Sequence, residues 1–301
     1  MSETGGGRYS AAELAERAGI DPELAARLWV ALGFPLRAEE DEFTDEDVEA
    51  LRYAGDLIRS GSVETELLVQ LTRTMASSIA RIADAQLEVA IDRARRFGSD
   101  EGVMIDQQVV DMTPWLLGYM WRRHAAAAFG RAVETVEAEE LVLGVGFADL
   151  VGFTALAQEV PEQELAHLVS RFEALAHDTV VRMGGRVVKM IGDEVMFSVT
   201  DLKAGVDIAL SLAEGYSQSD DMEDVRVGFS HGSVLQLQGD LYGPAVNLAS
   251  RIVSIARPGS VVVSESVHDA LGSDPAYAWR SLRPRTFKGI GRVPIWRVRR
   301  S

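Results

Sequence analysis

The sequence predicts an all-helical N-terminal part followed by an α+β domain in which helices cover a mainly antiparallel sheet. Three observations carry this. Helix-start signatures and a 3.6-residue apolar period run through roughly the first 137 residues. From Leu141 onward, strand and helix patterns alternate. Some strands meet in hairpins, the clearest being Val188-Lys189-Met190-Ile191-Gly192-Asp193-Glu194-Val195-Met196-Phe197, two apolar arms around a Gly-Asp tip.

The helices begin where the caps lie. Ser10-Ala11-Ala12-Glu13 is a capping box, and Asp21-Pro22 sets a cap before a proline at the first helical position. Phe43-Thr44-Asp45-Glu46-Asp47-Val48 joins a Thr cap, first-turn acids and a Phe43–Val48 staple. A long amphipathic helix is predicted from about Val63 to Arg96, with Leu67, Leu68, Leu71, Met75, Ile79, Ile82 and Ile91 in one stripe. Gly98-Ser99-Asp100 breaks it. A second helical tract over 105–137 carries Trp115, Leu117, Tyr119, Trp121, His124 and Phe129 and runs into the acids Glu134 to Glu140. Such length and patterning predict packing against a partner helix, in the same chain or in a second copy.

The C-terminal part opens with an apolar strand over Leu141–Phe147 that delivers Asp149. Residues 161–183 put Leu165, Leu168, Val169, Phe172, Leu175, Ala176, Thr179 and Val180 on one helix face. Strands at about 186–190 and 194–199, a helix over 202–214, strands at 224–230 and 234–238 and a helix over 243–256 follow. A strand near 260–264, a short helix and two final strands close the domain. The predicted division is 1–104, 105–140 and 141–301.

Composition bounds the function. At 301 residues with 47% hydrophobic and 25% charged residues, the chain reads as globular, with room for two domains. No apolar run reaches the 18 or so residues of a spanning helix, and the N-terminus has acids and glycines where a signal peptide has basic and apolar regions. The absence of cysteine excludes disulfides and thiolate metal sites and fits the cytoplasm. A net charge of −16 argues against DNA or anionic lipid as bulk partners. The helix-turn-helix pattern around Gly19 raises DNA binding, but residues 1–60 hold 14 acids against 6 Lys or Arg, so no DNA contact is expected.

Chemistry concentrates at Asp149, before Val151-Gly152-Phe153-Thr154, and at Asp193. Two strand-end carboxylates beside Gly-containing turns suit divalent metal and phosphate, although a single such Asp is most often a turn residue. In Gly239-Asp240-Leu241-Tyr242-Gly243-Pro244-Ala245-Val246-Asn247-Leu248-Ala249-Ser250-Arg251, Asn247 and Arg251 share a helix face. An Asn and an Arg presented together suit charge developing on a phosphoryl group; an exposed helix face with a surface ion pair is the plain alternative.

Asp149-Leu150-Val151-Gly152-Phe153-Thr154, then Lys189-x-x-Gly192-Asp193, then Asp240-x-x-Gly243-x-x-Val246-Asn247-x-Ala249-x-Arg251 resembles the class III nucleotidyl cyclase catalytic domain over about residues 140–300. The resemblance implies a ferredoxin-like antiparallel sheet covered by helices. It implies that Asp149 and Asp193, with the Leu150 carbonyl, hold two Mg²⁺ or Mn²⁺ ions, and that backbone N–H groups of Gly152, Phe153 and Thr154 hold phosphates. Lys189 and Asp240 match the purine-reading positions; a Lys donor and an Asp acceptor point to ATP, where guanylyl cyclases usually carry Glu and a small residue. Asn247 would orient the ribose, Arg251 meet charge at the α-phosphate, and Lys288 bind phosphate. The family's site is shared between two domains packed head to tail, so a homodimer is implied. Tyr9–Gly19, Leu28–Pro35 and Leu71-Thr72-Arg73 resemble the helical regulatory domain of certain actinobacterial adenylyl cyclases. That domain is implicated in autoinhibition, pH response and fatty-acid binding, which makes a lipid a second expected partner. A catalytically silent sensor and a guanylyl cyclase are the alternatives.

Overall fold

The computed structural model describes residues 8–35, 43–97, 107–135, 140–217 and 224–301, and the chain divides into two compact units, 1–128 and 129–301. The division falls inside the predicted 105–140 segment. The predicted break at Gly98–Asp100 and most of the acidic run after Glu134 lie outside the described residues.

In the first unit, α1 (Ala11–Ala18), α2 (Pro22–Ala31) and α3 (Asp45–Arg59) start at the predicted caps. Ser10 and Glu13 close a reciprocal box, Asp21 accepts from the Glu23 and Leu24 N–H groups, and Thr44 and Asp47 repeat the box. Each cap contributes roughly 1 kcal/mol. Tyr9 bridges to Phe43, and Phe43, Leu14, Leu28, Val48 and Leu51 form a small core. Only the first turns of α4 (Thr65–Phe97) enter that core, through Leu68 and Val69. Much of the predicted stripe behaves differently from a buried seam: Leu67, Leu71, Met75 and Ile79 are each about half exposed, while Ile82 and Ile91 are partly buried. α5 (Gln107–Thr135) meets α4 at a Gln86–Thr113 hydrogen bond of 2.9 Å and leaves Trp115, Trp121 and Phe129 exposed, with His124 exposed beside them. Among the described residues, no helix is long and apolar enough to cross a membrane.

The second unit is built on β1 (Val142–Leu150), α6 (Phe153–Glu159), α7 (Glu162–Arg182), β2 (Arg186–Ile191), β3 (Glu194–Val199), α8 (Leu202–Ser217) and β4 (Val225–Ser233). Strand order β2-β3-β1-β4 with antiparallel neighbours makes this the ferredoxin-like βαββαβ arrangement. A small ribbon, β5 (Leu235–Leu237) with β6 (Asp240–Tyr242), replaces the single strand expected at 234–238; β4 itself runs on to Ser233. Then α9 (Pro244–Val253) crosses over so that β7 (Val261–Ser264) joins β4 in parallel. After α10 (Glu265–Leu271), the hairpin β8 (Tyr277–Phe287) and β9 (Gly291–Arg300) finishes a seven-stranded sheet, with β9 pairing β7.

Helices α7 and α8 pack one sheet face around Phe172, Val180, Phe197, Ile208, Leu212 and Phe229. The alternation Gly144-Val145-Gly146-Phe147 serves that face. Gly146 lies between Phe197 and Phe229 on the neighbouring strands, and a Cβ there would sit 2.1 Å from the Phe197 ring. The two rings stack, centroids 6.0 Å apart, over the gap the glycine leaves. α9 covers the opposite face through Ala245, Ala249 and Val253, against Leu143, Val145, Phe147 and Met196.

Candidate active site

Strand alternation puts Asp149 on the α9 face, in step with Phe147 and Val145. Across the ladders it faces Glu194 on β3 and Arg226 on β4. The Leu150 N–H donates to the Asp193 carbonyl at 3.1 Å, which ties the end of β1 to the Gly192-Asp193 turn between β2 and β3. The two aspartates singled out in the sequence thus meet at one sheet end. The Arg226 guanidinium donates through Nε (2.6 Å) and Nη2 (2.5 Å) to Asp149 Oδ2, and the Asp149 side chain is only 14% exposed.

The electrostatics follow from burial with too few cations. Burial raises Asp149 and outweighs Arg226, with Asp193 adding to the rise. Burial, then the charges of Asp149 and Asp193, push Glu194 up to about 7. Three carboxylates lie by the Arg226 guanidinium, with the Lys189 ammonium acting less strongly on Glu194, an environment that favours an added cation. Among the described residues, no three carboxylate or imidazole side chains form a ready cage. Mg²⁺ is held by one or two carboxylates and completes its shell with water and substrate phosphate. Two aspartates and a main-chain carbonyl form a hard-oxygen set of that kind, so the residues fit the ions.

Gly152 caps α6 without a side chain, leaving the first N–H groups of the helix, at Phe153 and Thr154, with no acceptor one turn back. This helix was not anticipated from the sequence; it aims those N–H groups in one direction, as phosphate oxygens require.

A second cluster forms nearby on β2 and β6. Lys189 Nζ donates to Asp240 Oδ2 at 2.5 Å, and the Leu241 N–H donates to Oδ1 at 2.8 Å. Burial acts to raise Asp240, but the Lys189 and Leu241 hydrogen bonds and the Lys189 charge win and hold it below its ordinary value. Two further ammonium protons and the remaining carboxylate lone pairs stay available to a ligand.

Asn247 and Arg251 stand on the exposed side of α9, opposite Ala245, Ala249, Ile252 and Val253. Neither side chain forms a hydrogen bond or ion pair with Asp149, Asp193, Lys189 or Asp240. The position of α9 depends on Gly228. A Cβ at that site would lie 2.3 Å from the Val253 nitrogen and 2.6 Å from the Ala249 oxygen. Lys288 is exposed at the tip of the β8–β9 hairpin.

Arg226 and Glu194 were missed in the sequence. A charged residue in the apolar strand Val225-Arg226-Val227 was the available signal, but only the β1–β4 register places it against Asp149.

The family described as the adenylate and guanylate cyclase catalytic domain matches residues 136–299. An adenylate cyclase of Streptomyces coelicolor is 36% identical over 329 residues, covering 97% of this chain and 86% of that protein. A pH-sensitive adenylate cyclase of Mycobacterium tuberculosis is 32% identical over 311 residues, 97% of this chain and 78% of that protein. A solved adenylyl cyclase from P. aeruginosa aligns with 53% of this chain and 94% of its own, with a TM-score of 0.48 and 22% identity.

Proposed function

The chain belongs to the adenylate and guanylate cyclase catalytic-domain family, and from that premise we propose that it is an adenylyl cyclase converting ATP to 3′,5′-cyclic AMP and pyrophosphate. The observation that carries the choice of base is the Lys189–Asp240 pair. It presents a donor and an acceptor side by side, the pattern that adenine N1 and its exocyclic amine complement. Guanine offers a donor and an acceptor in the reverse order.

Asp149 and Asp193, with the Leu150 carbonyl, hold two Mg²⁺ or Mn²⁺ ions in this reading. When bound, they activate the 3′-hydroxyl and neutralise the departing pyrophosphate. The N–H groups of Gly152, Phe153 and Thr154 cradle the phosphate chain, and Lys288 adds a cation to it. Asn247 orients the ribose so that O3′ lies in line with the α-phosphorus. Arg251 meets charge on the α-phosphate as the O3′–P bond forms and the bond to the pyrophosphate oxygen breaks; the hydroxyl proton leaves to solvent. Positioning supplies most of the catalysis.

The site is shared across a homodimer. The carboxylate cluster of one chain faces Lys189, Asp240, Asn247, Arg251 and Lys288 of the other, which accounts for the exposure of Asn247, Arg251 and Lys288. The half-exposed ridge Leu67, Leu71, Met75 and Ile79 on α4 supports packing against a second copy. Residues 1–104 act as a regulatory domain that can take a fatty acid, and 105–140 transmit its state to the dimer, all in the cytoplasm. The similarity to the Streptomyces enzyme covers 97% of this chain and so reaches beyond the catalytic-domain match at 136–299.

Purified protein assayed with Mn²⁺ and either ATP or GTP tests the proposal. Cyclic AMP from ATP, with little product from GTP, is expected; no cyclic nucleotide from either would refute it. Removing residues 1–135 tests regulation, and an unchanged rate and pH profile would count against that part.

A further inference from the structure

The last 25 residues, Tyr277–Ser301, hold eight basic residues and no acidic one, in a chain of net charge −16. The rest of the chain therefore carries −24. Five arginines from this end of the fold, Arg257, Arg280, Arg283, Arg285 and Arg297, line a single groove of about 190 Å³. It lies on the α9 side of the sheet, past the end of α9, and its floor is apolar: Val262, Leu282 and Ile295. None of its lining residues belongs to the active site described above.

Two features set the groove apart from a solvated basic surface. First, Arg280 and Arg297 stand directly opposite each other in the β8–β9 ladder, so both project to the same face. Like charges so placed destabilise a sheet, and arginine cannot shed its proton to relieve them. Second, although the chain is strongly acidic, none of the five arginines forms an ion pair or a side-chain hydrogen bond with a described residue. Arg300, three residues along β9 from Arg297, turns instead to the other sheet face, where Asp207 and Glu214 of α8 hold it. Within the described fold no anionic side chain neutralises this cluster, while a bound anion would do so.

We propose that this groove binds a small polyanion of the phosphoanhydride class, a di- or triphosphate group. Guanidinium forks match phosphate oxygens in bidentate geometry, and several forks around one cavity call for several anionic groups in a row. The groove's size suits such a chain. A nucleic acid duplex would meet the repulsion of the remaining −24.

The test is calorimetric titration of the full chain with sodium tripolyphosphate in EDTA, so that metal-dependent binding at the carboxylate cluster is removed. One site per chain is expected. Arg280→Gln with Arg297→Gln should weaken it at least about tenfold, since each charged hydrogen bond contributes on that order. Without anion, that double variant should melt no lower than wild type, because the opposed charges are relieved. Arg257→Gln with Arg283→Gln gives an independent loss of binding should the first pair fail to fold, and Arg226→Ala should leave binding unchanged. Titrating ATP in parallel separates the sources: tighter binding than tripolyphosphate assigns a nucleotide, weaker binding a free polyphosphate. The proposal is overturned by absence of saturable binding, by unchanged affinity in both arginine pairs, or by loss of binding in Arg226→Ala alone.

Discussion

Replacing Gly228 by alanine should damage catalysis at a distance. The added Cβ would stand 2.3 Å from the Val253 nitrogen, 2.6 Å from the Ala249 oxygen and 2.8 Å from Val253 Cα, all backbone atoms of α9. Ordinary contact begins near 3.4 Å, so α9 must move off β4 by about 1.1 Å. Overpacking of this kind costs roughly 1–3 kcal/mol. For a unit of this size each kcal/mol lowers Tm by about 2–4 °C. The larger consequence concerns Asn247 and Arg251, which ride on α9 and in the proposed mechanism must be placed to about 0.5 Å. A displacement of 1 Å lowers turnover by about 10²-fold. Lys189 and Asp240 sit on other elements, so kcat should fall far more than KM rises. Gly232→Ala is the control: it lies on the same strand, but its Cβ would meet only the Ala245 Cβ at an ordinary 3.5 Å. Steady-state cyclic AMP formation and thermal unfolding of both variants decide the matter. A folded Gly228→Ala protein with kcat within about threefold of wild type would refute the placement of α9 as the carrier of catalytic groups.

Other perturbations probe the remaining parts. Asp149→Ala or Asp193→Ala should reduce turnover at least about 10²-fold with circular dichroism unchanged, since in the proposed mechanism each would leave a metal under-ligated; wild-type rates in either would remove that residue from metal binding. Mixing inactive Asp193→Ala with inactive Asn247→Ala should restore up to about a quarter of wild-type activity, because half the dimers formed are mixed and each mixed dimer rebuilds one of two sites. Mixed dimers without activity would count against a shared site. The Lys189–Asp240 pair gives a pH signature. Because the folded Asp240 carboxyl is depressed, its stabilisation is present above the unfolded value, about 3.9, and is lost as pH falls through the folded one. The Tm gap between wild type and Lys189→Met should therefore narrow below about pH 4, and a gap constant from pH 7 to pH 3 would contradict the pairing.

The sequence by itself determined what depends on neighbours along the chain. The caps at Ser10, Asp21 and Thr44 are local hydrogen-bond patterns, and so were readable without a fold. The amphipathic helix at Glu162–Arg182 and the hairpin of β2 and β3 announced themselves by period. The spaced motifs around Asp149, Asp193 and Asp240 identified the family. Tertiary structure decided what depends on register. Only the β1–β4 ladder, in which residues 77 apart in sequence face each other, sets Arg226 on Asp149. Only the contact of β2 with the β5–β6 ribbon brings Lys189 onto Asp240 across 51 residues. The stripe on α4 shows the same limit from the other side: periodicity marks a face as apolar, but whether the chain buries it depends on what packs there, and here the chain leaves much of it half exposed. The arginines of β8 and β9 look scattered in sequence. They become one groove only when an antiparallel ladder sets Arg280 opposite Arg297, because strand pairing converts a spacing of 17 residues into direct neighbourhood.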